Sequence, residues 1–552
     1  MKKTYKSFLI VMFSIIISSS AFADVSVDGY CYLDGETNHS GTKVLFSADS
    51  PTASTDSVFT IADGSFSIGL SAGIYQVSYS HDGWVTDTIA GGVSLFASAT
   101  LDPVTLATYI APEPFREVSG PQSGIWTSDS IYHVIGLISI ENGDSLVIEP
   151  GTVIEFKGQY SFNIYGLLTA IGTQEDSILF TSGQVEPSYG DWGRIGFYNG
   201  SDDNSMISLV NIEHAIQGLY CNHSSPTLCN NNLNNNRYGI ECVGSSNPLI
   251  NSNTISNIIN TGILCSSSSS PIISNNNVSY CNTGISCSYS SSTISNNIIT
   301  NNSYTGISCS SSSISISNNI IANNNYYGIT CFDPSSPTIN KNTISNNNYC
   351  GVLFDGSNPF ILNNILLGNE TGVIANSQPS SLEYNLFWEN NTLASGGGLP
   401  AYFGEIIAVN ANLDSCDAYL NLFMDPLIVD PDYSDFRLMP NSPCINAGNP
   451  DPVYNDPDGT IADIGALYFD PNMPIASFDA SATEGYFPLT VDFTDLSVPG
   501  SASIAEWYWA FGDGNTSALQ NPTHIFVDGQ YNHIKSFTVS LVIVNSNGLA
   551  DS

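Results

Sequence analysis

The apolar positions along this chain recur as short β-type runs, with no 3.6-residue helical stripe. From about residue 206 to 390 a Gly followed by an aliphatic returns at Gly218, Gly239, Gly262, Gly284, Gly306, Gly328, Gly351 and Gly372, at intervals of 21 to 23 residues. A second column keeps the same phase: Asn231, Asn253, Asn276, Asn297, Asn319, Asn342, Asn364 and Asn385, each two residues before an aliphatic or aromatic side chain. Each unit holds β-branched pairs separated by Ser, Asn and Pro turns, which disfavours a helical solenoid. Three short strands with their turns use about 22 residues, one coil of a parallel β-helix, and coils stack at roughly 4.8 Å.

Alternation along the strands sorts these columns into faces. The aliphatic at Gly+1 and the residue at Gly+3 share a side. The Gly+3 position is Cys221, Cys242, Cys265, Cys287, Cys309 and Cys331, so six of the twelve cysteines are expected in one internal ladder. Stacked strands hold their Cβ atoms about 4.8 Å apart, wider than the ~3.8 Å of a disulfide, so the ladder reads as small apolar thiols filling a core. Cys416 and Cys444 are the candidate disulfide pair. The Asn column fits left-handed turns with amides bonded from coil to coil. Tyr304, Tyr326 and Tyr349 stand at Gly−2 on three successive coils, and parity turns them outward. Apolar ring faces suit the CH faces of sugars, which makes these three the candidate glycan contact, with a purely structural ring stack as the competing reading.

On these residues the centre of the chain resembles the right-handed parallel β-helix repeat family, over about 206–390. Residues 111–205 resemble the opening coils of such helices, through Leu137-Ile138-Ser139-Ile140, Leu146-Val147-Ile148, Gly166-Leu167-Leu168 and Ile178-Leu179-Phe180. With these and a few coils after 390 the rod is expected to hold a dozen or more coils, roughly 60 Å long. Residues 24–107, with Gly29, Asp63-Gly64-Ser65-Phe66 and Leu70-Ser71-Ala72-Gly73-Ile74-Tyr75, resemble the carboxypeptidase-regulatory-like β-sandwich. An Asp-rich closing segment completes a middle region of 111–471. Residues 472–552 resemble a PKD (immunoglobulin-like) domain through Trp509-Ala510-Phe511-Gly512-Asp513-Gly514 and Asn521-Pro522-Thr523-His524. Such domains usually continue into one more strand after the turn at 545–548, so the chain is expected to be a fragment or to terminate early. The expected class is all-β: a right-handed parallel β-helix flanked by two β-sandwiches.

Charge narrows the function. The chain has 50 Asp and Glu against 11 Lys and Arg, a net charge of −39 over 552 residues. Such a surface repels phosphate backbones and anionic lipid, which excludes nucleic acid as a partner. Lys2, Lys3 and Lys6, an apolar run from Phe8 to Ile17 and Ala21-Phe22-Ala23 make residues 1–23 read as a bacterial-type signal peptide. No stretch is long enough for a transmembrane helix. The expected location is extracellular or at the cell surface. Only seven of the 50 acids lie between residues 206 and 395, so the repeat coils are nearly neutral.

One acidic loop carries metal-like chemistry. Asn455, Asp456, Asp458 and Asp463 place hard oxygens around a Gly turn and resemble Asp-rich calcium loops, without the Glu at position 12 of an EF-hand. Ca²⁺ is the candidate cofactor, against an Asx/Pro turn run. β-Helices include pectate lyases and polygalacturonases, whose chemistry needs clustered carboxylates, or Ca²⁺-binding acids with an Arg or Lys base. From Gly218 to Ser380 the chain offers only Glu241, Asp333, Asp355 and Glu370 with Arg237 and Lys341. The loops of the first coils add Glu175, Asp176, Glu186, Asp191 and Arg194. The reading therefore leans to adhesion or glycan binding on a rigid rod. A polysaccharide lyase or glycoside hydrolase, and a passive structural spacer, are the alternatives.

Overall fold

A computed structural model describes residues 24–50, 54–81, 84, 86–89, 93–95, 97–107, 115–332, 334–431, 434–527 and 535–552. The leader at 1–23 lies outside the described residues. The chain divides into two compact units, Met1–Pro114 and Phe115–Ser552. In the first, Asp24–Leu33 pairs antiparallel with Ser65–Ser71 and parallel with Ala99–Thr100 and Val104–Leu106. A second sheet is built from Ser54–Phe59, Lys43–Ser50 and Gly73–Ser80. Phe46, Phe66, Tyr79, Val27 and Cys31 are buried between the sheets. A Cβ at Gly29 would stand 2.5 Å from the Phe66 ring, which explains the glycine in that strand.

The second unit is dominated by a parallel solenoid of about 12 turns. One 24-stranded sheet carries two strands of every coil and a separate 12-stranded sheet carries the third. A representative coil runs Thr293–Ser295, Ile298–Thr300 and Thr305–Ser310, and the next repeats it at Ser315–Ser317, Ile320–Ala322 and Tyr327–Phe332. Each strand sends its alternate residues inward, so the core is a set of single-residue columns. Ile273, Ile294, Ile316 and Ile339 form one, Ile299, Ile321 and Ile344 another, and Ile285, Ile307 and Ile329 a third, all fully buried. The predicted thiol ladder is the fourth: Cys221 through Cys331 pair in register, coil by coil, until Phe354 takes the position. Wider aromatic side chains fill the first coils, including Phe156 and Trp192 stacked at 4.0 Å.

Glycine sets the spacing at one corner. A Cβ on Gly306 would lie 2.7 Å from the Gly328 carbonyl oxygen and 2.8 Å from Ile321 Cγ2, and its equivalents from Gly218 to Gly372 are similarly crowded. Any other residue would push two coils apart.

The turns between strands need polar side chains because their backbone is buried. Asn297 accepts hydrogen bonds at Oδ1 from both the backbone N and the Nδ2 of Asn276, each 2.9 Å. Its own N and Nδ2 donate to Asn319 Oδ1, and Nδ2 also reaches the Ile273 carbonyl. The ladder runs to Asn385, continues to Asn421, and ends on the Asp417 carboxylate. The left-handed residue is the one before the ladder position, Asn296 at φ 56° or Asn318 at φ 54°, and not the ladder Asn itself as the sequence reading implied. A second ladder, missed in the sequence, runs through Asn302, Asn324, Asn347, Asn369 and Asn390 at the next turn. Buried serines, Ser246, Ser269, Ser290, Ser312, Ser335 and Ser357, serve the third turn.

Among the described residues no full coil follows residue 395, contrary to expectation. After Thr392–Ser395 the aromatic side chains of Phe387, Phe403 and Phe423 pack together at the end of the rod. The chain then folds back along its side. Gly465 N donates to the Asn363 carbonyl at 2.8 Å, and Ala466 N to Thr343 Oγ1 at 3.1 Å. This return buries Ile365, Leu367 and Leu386 with Leu422, Leu438, Cys444 and Ile464. The column of Leu367 faces outward and is polar on earlier coils, at Ser256, Ser279 and Thr300. Its change to Leu is the sequence signal for a covering segment.

The last domain has two sheets, Phe478–Ala480 with Leu489–Asp495 and Thr523–Phe526, and Thr516–Ser517 with Ile504–Ala510, Ser540–Asn545 and Ala550–Asp551. Trp509, Phe511, Phe493 and Ile543 form its core. The Asp513 carboxylate accepts from His524 Nε2 at 2.8 Å, and the imidazole stacks on Phe511 at 4.1 Å.

Replacing Asn319 by Ala would strip partners from the Asn297 backbone N and the Ile294 carbonyl, both buried. The expected cost is about 2–4 kcal/mol, since each unsatisfied buried group costs about 1–3 kcal/mol. The check is hydrogen exchange: amides of the two adjoining coils lose protection, while Asn348→Ala, on an exposed position, leaves them unchanged.

Candidate functional site

The three predicted tyrosines lie in the turns that lead into the Gly-containing strands. They are 46%, 45% and 47% exposed for Tyr304, Tyr326 and Tyr349. Backbone bonds stack them coil on coil: Tyr326 N donates to the Tyr304 carbonyl and Tyr349 N to the Tyr326 carbonyl. The Tyr304 and Tyr326 rings stand 5.3 Å apart at 51°. The sequence reading missed a fourth ring. Tyr327 packs edge-on between Tyr304 at 5.6 Å and Tyr349 at 5.3 Å, so that neighbours brace every ring. Burial, and then the neighbouring tyrosines, raise the Tyr327 phenol, which stays neutral.

Beside the rings runs a column of small polar side chains. Asn282 Nδ2 donates to Ser303 Oγ at 3.4 Å and Asn348 Nδ2 to Asn325 Oδ1 at 3.1 Å. Residues 259 and 280, Ile and Tyr, extend the exposed apolar surface upward, at 49% and 62% exposure. The result is a shallow neutral face of aromatic planes edged by amides and hydroxyls.

The acidic loop is organised differently. Asp456 is buried, and its Oδ1 lies 2.5 Å from Lys341 Nζ while its Oδ2 accepts from Asp463 N at 2.7 Å. Asp463 accepts from Asn446 N and Phe469 N, each 2.7 Å, one on each oxygen. Asp458 closes an Asx turn on Thr460, and Asn455 donates to the Gly459 carbonyl; both are exposed. Only Asp456 and Asp463 come together, and the cation Asp456 faces is the Lys341 ammonium. Lys341 sits at φ 53°, the left-handed position that the two neighbouring coils give to Asn318 and Asn363. Its presence there marks the coil to which the loop is fastened.

The first-coil acids disperse. Glu175, Asp176 and Glu186 are exposed, Asp191 accepts from Ser182 Oγ and Ser188 N, and the Arg194 guanidinium lies 4.6 Å over the Tyr220 ring. Asp355 is exposed beside Asn376, and Asp333 lies outside the described residues. What does assemble on these coils was not anticipated: His133 Nε2 meets Glu155 Oε2 at 3.2 Å, and Lys157 Nζ bonds the same oxygen. Burial, followed by the Lys157 charge, lowers the His133 imidazole. Register carries the signal, since His133 and Glu155 face each other on adjacent strands.

All twelve cysteines are free, so the expected Cys416–Cys444 disulfide is not formed. Both thiols instead pack in the apolar cluster under the closing segment. Burial pushes Cys444 up to about 12. Thiol contact with Cys265, and then burial, hold Cys287 well above the ordinary range. Among the described residues no three His, Cys, Asp or Glu side chains converge as a metal site, and no helix is long and apolar enough to cross a membrane.

Three family profiles match parts of the chain. "Right handed beta helix region" covers residues 261–413, "Periplasmic copper-binding protein (NosD)" covers 181–324, and "PKD domain" covers 470–552. The chain is thus a right-handed β-helix repeat protein with a PKD domain. No curated protein matches it. Among solved structures it is similar to the pectate lyase Pel9A, at 14% identity and TM-score 0.39, over 60% of this chain and 89% of that one. A variant of the periplasmic alginate epimerase AlgG matches at 15% and 0.32, over 50% and 76%. The A-module of Azotobacter vinelandii mannuronan C-5 epimerase AlgE4 matches at 15% and 0.28, over 50% and 80%.

Copper, named in the second profile, does not fit the residues in that stretch. Soft-metal binding needs accessible, deprotonated thiols or grouped imidazoles. The ladder thiols are sealed in the core, and at Cys242 and Cys265 contact with the preceding thiol, and then burial, favours the protonated form. His214 and His223 are engaged separately, by Thr181 and by Asn222.

Two outcomes test these assignments. In native protein a thiol reagent should label Cys229, the one cysteine that is not buried, and all twelve after denaturation; ten would restore a disulfide. The second concerns Asp463, whose carboxyl burial raises to about 6, against its two amide hydrogen bonds. A folded pKa above the unfolded value of about 3.9 gives stability that is full below about pH 4 and lost as pH rises through about 6. Thermal midpoints should therefore fall between about pH 4 and pH 7, and the fall should shrink in Asp463→Asn.

Proposed function

We propose that this chain is an exported glycan-binding protein whose rod presents Tyr304, Tyr326 and Tyr349 to an extended polysaccharide. The observation that carries this reading is the braced, outward tyrosine row on consecutive coils. Rings repeat along the axis at the coil spacing of roughly 4.8 Å, so a linear chain lying parallel to the rod meets one ring after another. Aromatic planes give apolar contact to sugar CH faces, and the flanking Asn and Ser side chains offer donors and acceptors to hydroxyls. Because Tyr327 and the stacked backbone hold the rings in place, little conformational entropy opposes binding.

The near absence of charge on these coils favours shape and stacking over electrostatic attraction. Export is supported by the leader-like residues 1–23 and by the periplasmic family whose profile matches the coils. The two sandwich modules serve as accessory contacts or spacers in this reading, and calcium has no assigned part in it.

A glycan array followed by calorimetry on residues 24–552 tests the proposal. Tyr326→Ala should weaken binding about 3- to 10-fold, and Tyr304→Ala with Tyr326→Ala by more, in protein that keeps the β spectrum and cooperative unfolding of the unaltered chain. Tyr326→Phe should retain binding, because the ring face is kept. Unchanged binding in the double Ala variant would sink the site. Failure of the native chain to bind any glycan would leave the rod as a spacer, and new reducing ends or unsaturated uronates would make it an enzyme.

A further inference from the structure

The tyrosine row opens at its upper end into a cavity of about 240 Å³, lined by Tyr189, Ile259, Tyr280, Asn282 and Ser303. The two are continuous: Ser303 precedes Tyr304, and Tyr304 N donates to the Asn282 carbonyl at 2.9 Å. One coil above stands Arg237, whose carbonyl accepts from Asn260 N at 3.0 Å. Its Nε donates to the carbonyl oxygen of Tyr189, a residue of the cavity wall, at 3.2 Å.

That arginine is held in place by the fold. A Cβ on Gly190 would lie 2.4 Å from Arg237 Nε, so this glycine, at φ 84°, is what admits the side chain. Arg116 and Arg437 pair with carboxylates, and Arg194 lies on Tyr220. Among the described residues Arg237 has no carboxylate partner, in a chain with 50 acids and 11 bases. The far end of the row carries the opposite sign. Thr371 N donates to the Tyr349 carbonyl, and the preceding Glu370 holds Asn391 Nδ2 at 2.6 Å.

We propose that the cavity beside Arg237 is a subsite for one uronate residue of the bound polysaccharide, with neutral residues lying on the tyrosines below it. This rests on the glycan reading above and adds the chemical class and the direction of the ligand. The guanidinium fork matches a carboxylate through two parallel hydrogen bonds, and its anchored Nε leaves the terminal nitrogens for that purpose. Glu370 repels an anionic residue at the opposite end, which fixes the orientation of the chain along the rod.

The test uses the full mature chain and paired linear fragments, each neutral oligosaccharide set against the same oligosaccharide with one terminal residue oxidised at C6 to the uronate. The uronate form should bind about tenfold more tightly, with the advantage shrinking at high salt. Arg237→Gln should abolish that advantage and leave neutral binding intact, whereas Tyr304→Ala should weaken both forms. Equal affinity of the two forms, or an advantage that survives Arg237→Gln, overturns the subsite while the tyrosine site stands. No binding of any fragment to the unaltered chain overturns the glycan reading, and the subsite with it.

Discussion

Everything in the rod depends on how closely one coil can approach the next. Parallel strands pair only at their fixed spacing, and at the glycine corner the approach leaves no room for a side chain: backbone oxygen and an Ile methyl fill the space a Cβ would need. Once that distance is imposed on a repeat, every other position inherits a neighbour of its own kind. Ile stacks on Ile, Cys on Cys and Asn on Asn, and the core becomes columns in place of an interlocking set of unlike shapes. The same stacking aligns the exposed tyrosines, so the surface proposed for ligand binding is a by-product of the rule that builds the core.

Stacking identical charges would be ruinous, which explains where the acidity lies. A column of carboxylates at this spacing repels itself along its whole length, whereas a column of amides donates and accepts at once. The coils accordingly use Asn and Ser in their turns, and the acids concentrate in the sandwiches, the opening coils and the return segment. Where the Asn ladder finally needs an acceptor with no donor to follow, the chain supplies Asp417. The one lysine on the repeat coils serves the return segment through its buried pair with Asp456.

Much of this was legible in the sequence because a repeat advertises itself. The Gly, Cys and first Asn columns, the outward parity of Tyr304, Tyr326 and Tyr349 and the all-β class follow from spacing alone. The second Asn ladder escaped because Ile258 and Cys281 occupy its positions on two coils and break the period. Tyr327 was overlooked because its position is Thr on the preceding coils, so no column pointed to it. The return of the chain along the rod was hidden for a different reason: long-range packing leaves no period. Its trace lay in an outward strand position turning from Ser and Thr to Leu at Leu367, and in a lone Lys at a left-handed site. The Arg237 cavity was equally invisible, since residues 189 and 280 meet only through folding.

The one-way hydrogen bonding of the Asn ladder bears on how such a molecule can change over generations. In the first Asn ladder each coil asks of its neighbours only what every other coil asks, so a coil copied or excised as a whole meets the same partners there. Gene duplication in steps of about 22 residues can thus lengthen or shorten the rod without redesigning its interior. The row of tyrosines would grow or shrink by one ring whenever the coil gained or lost is one that carries Tyr304, Tyr326 or Tyr349. In that sense the protein is a ruler whose graduations are inherited, and the span of what it grips can be set by copy number instead of by point mutation.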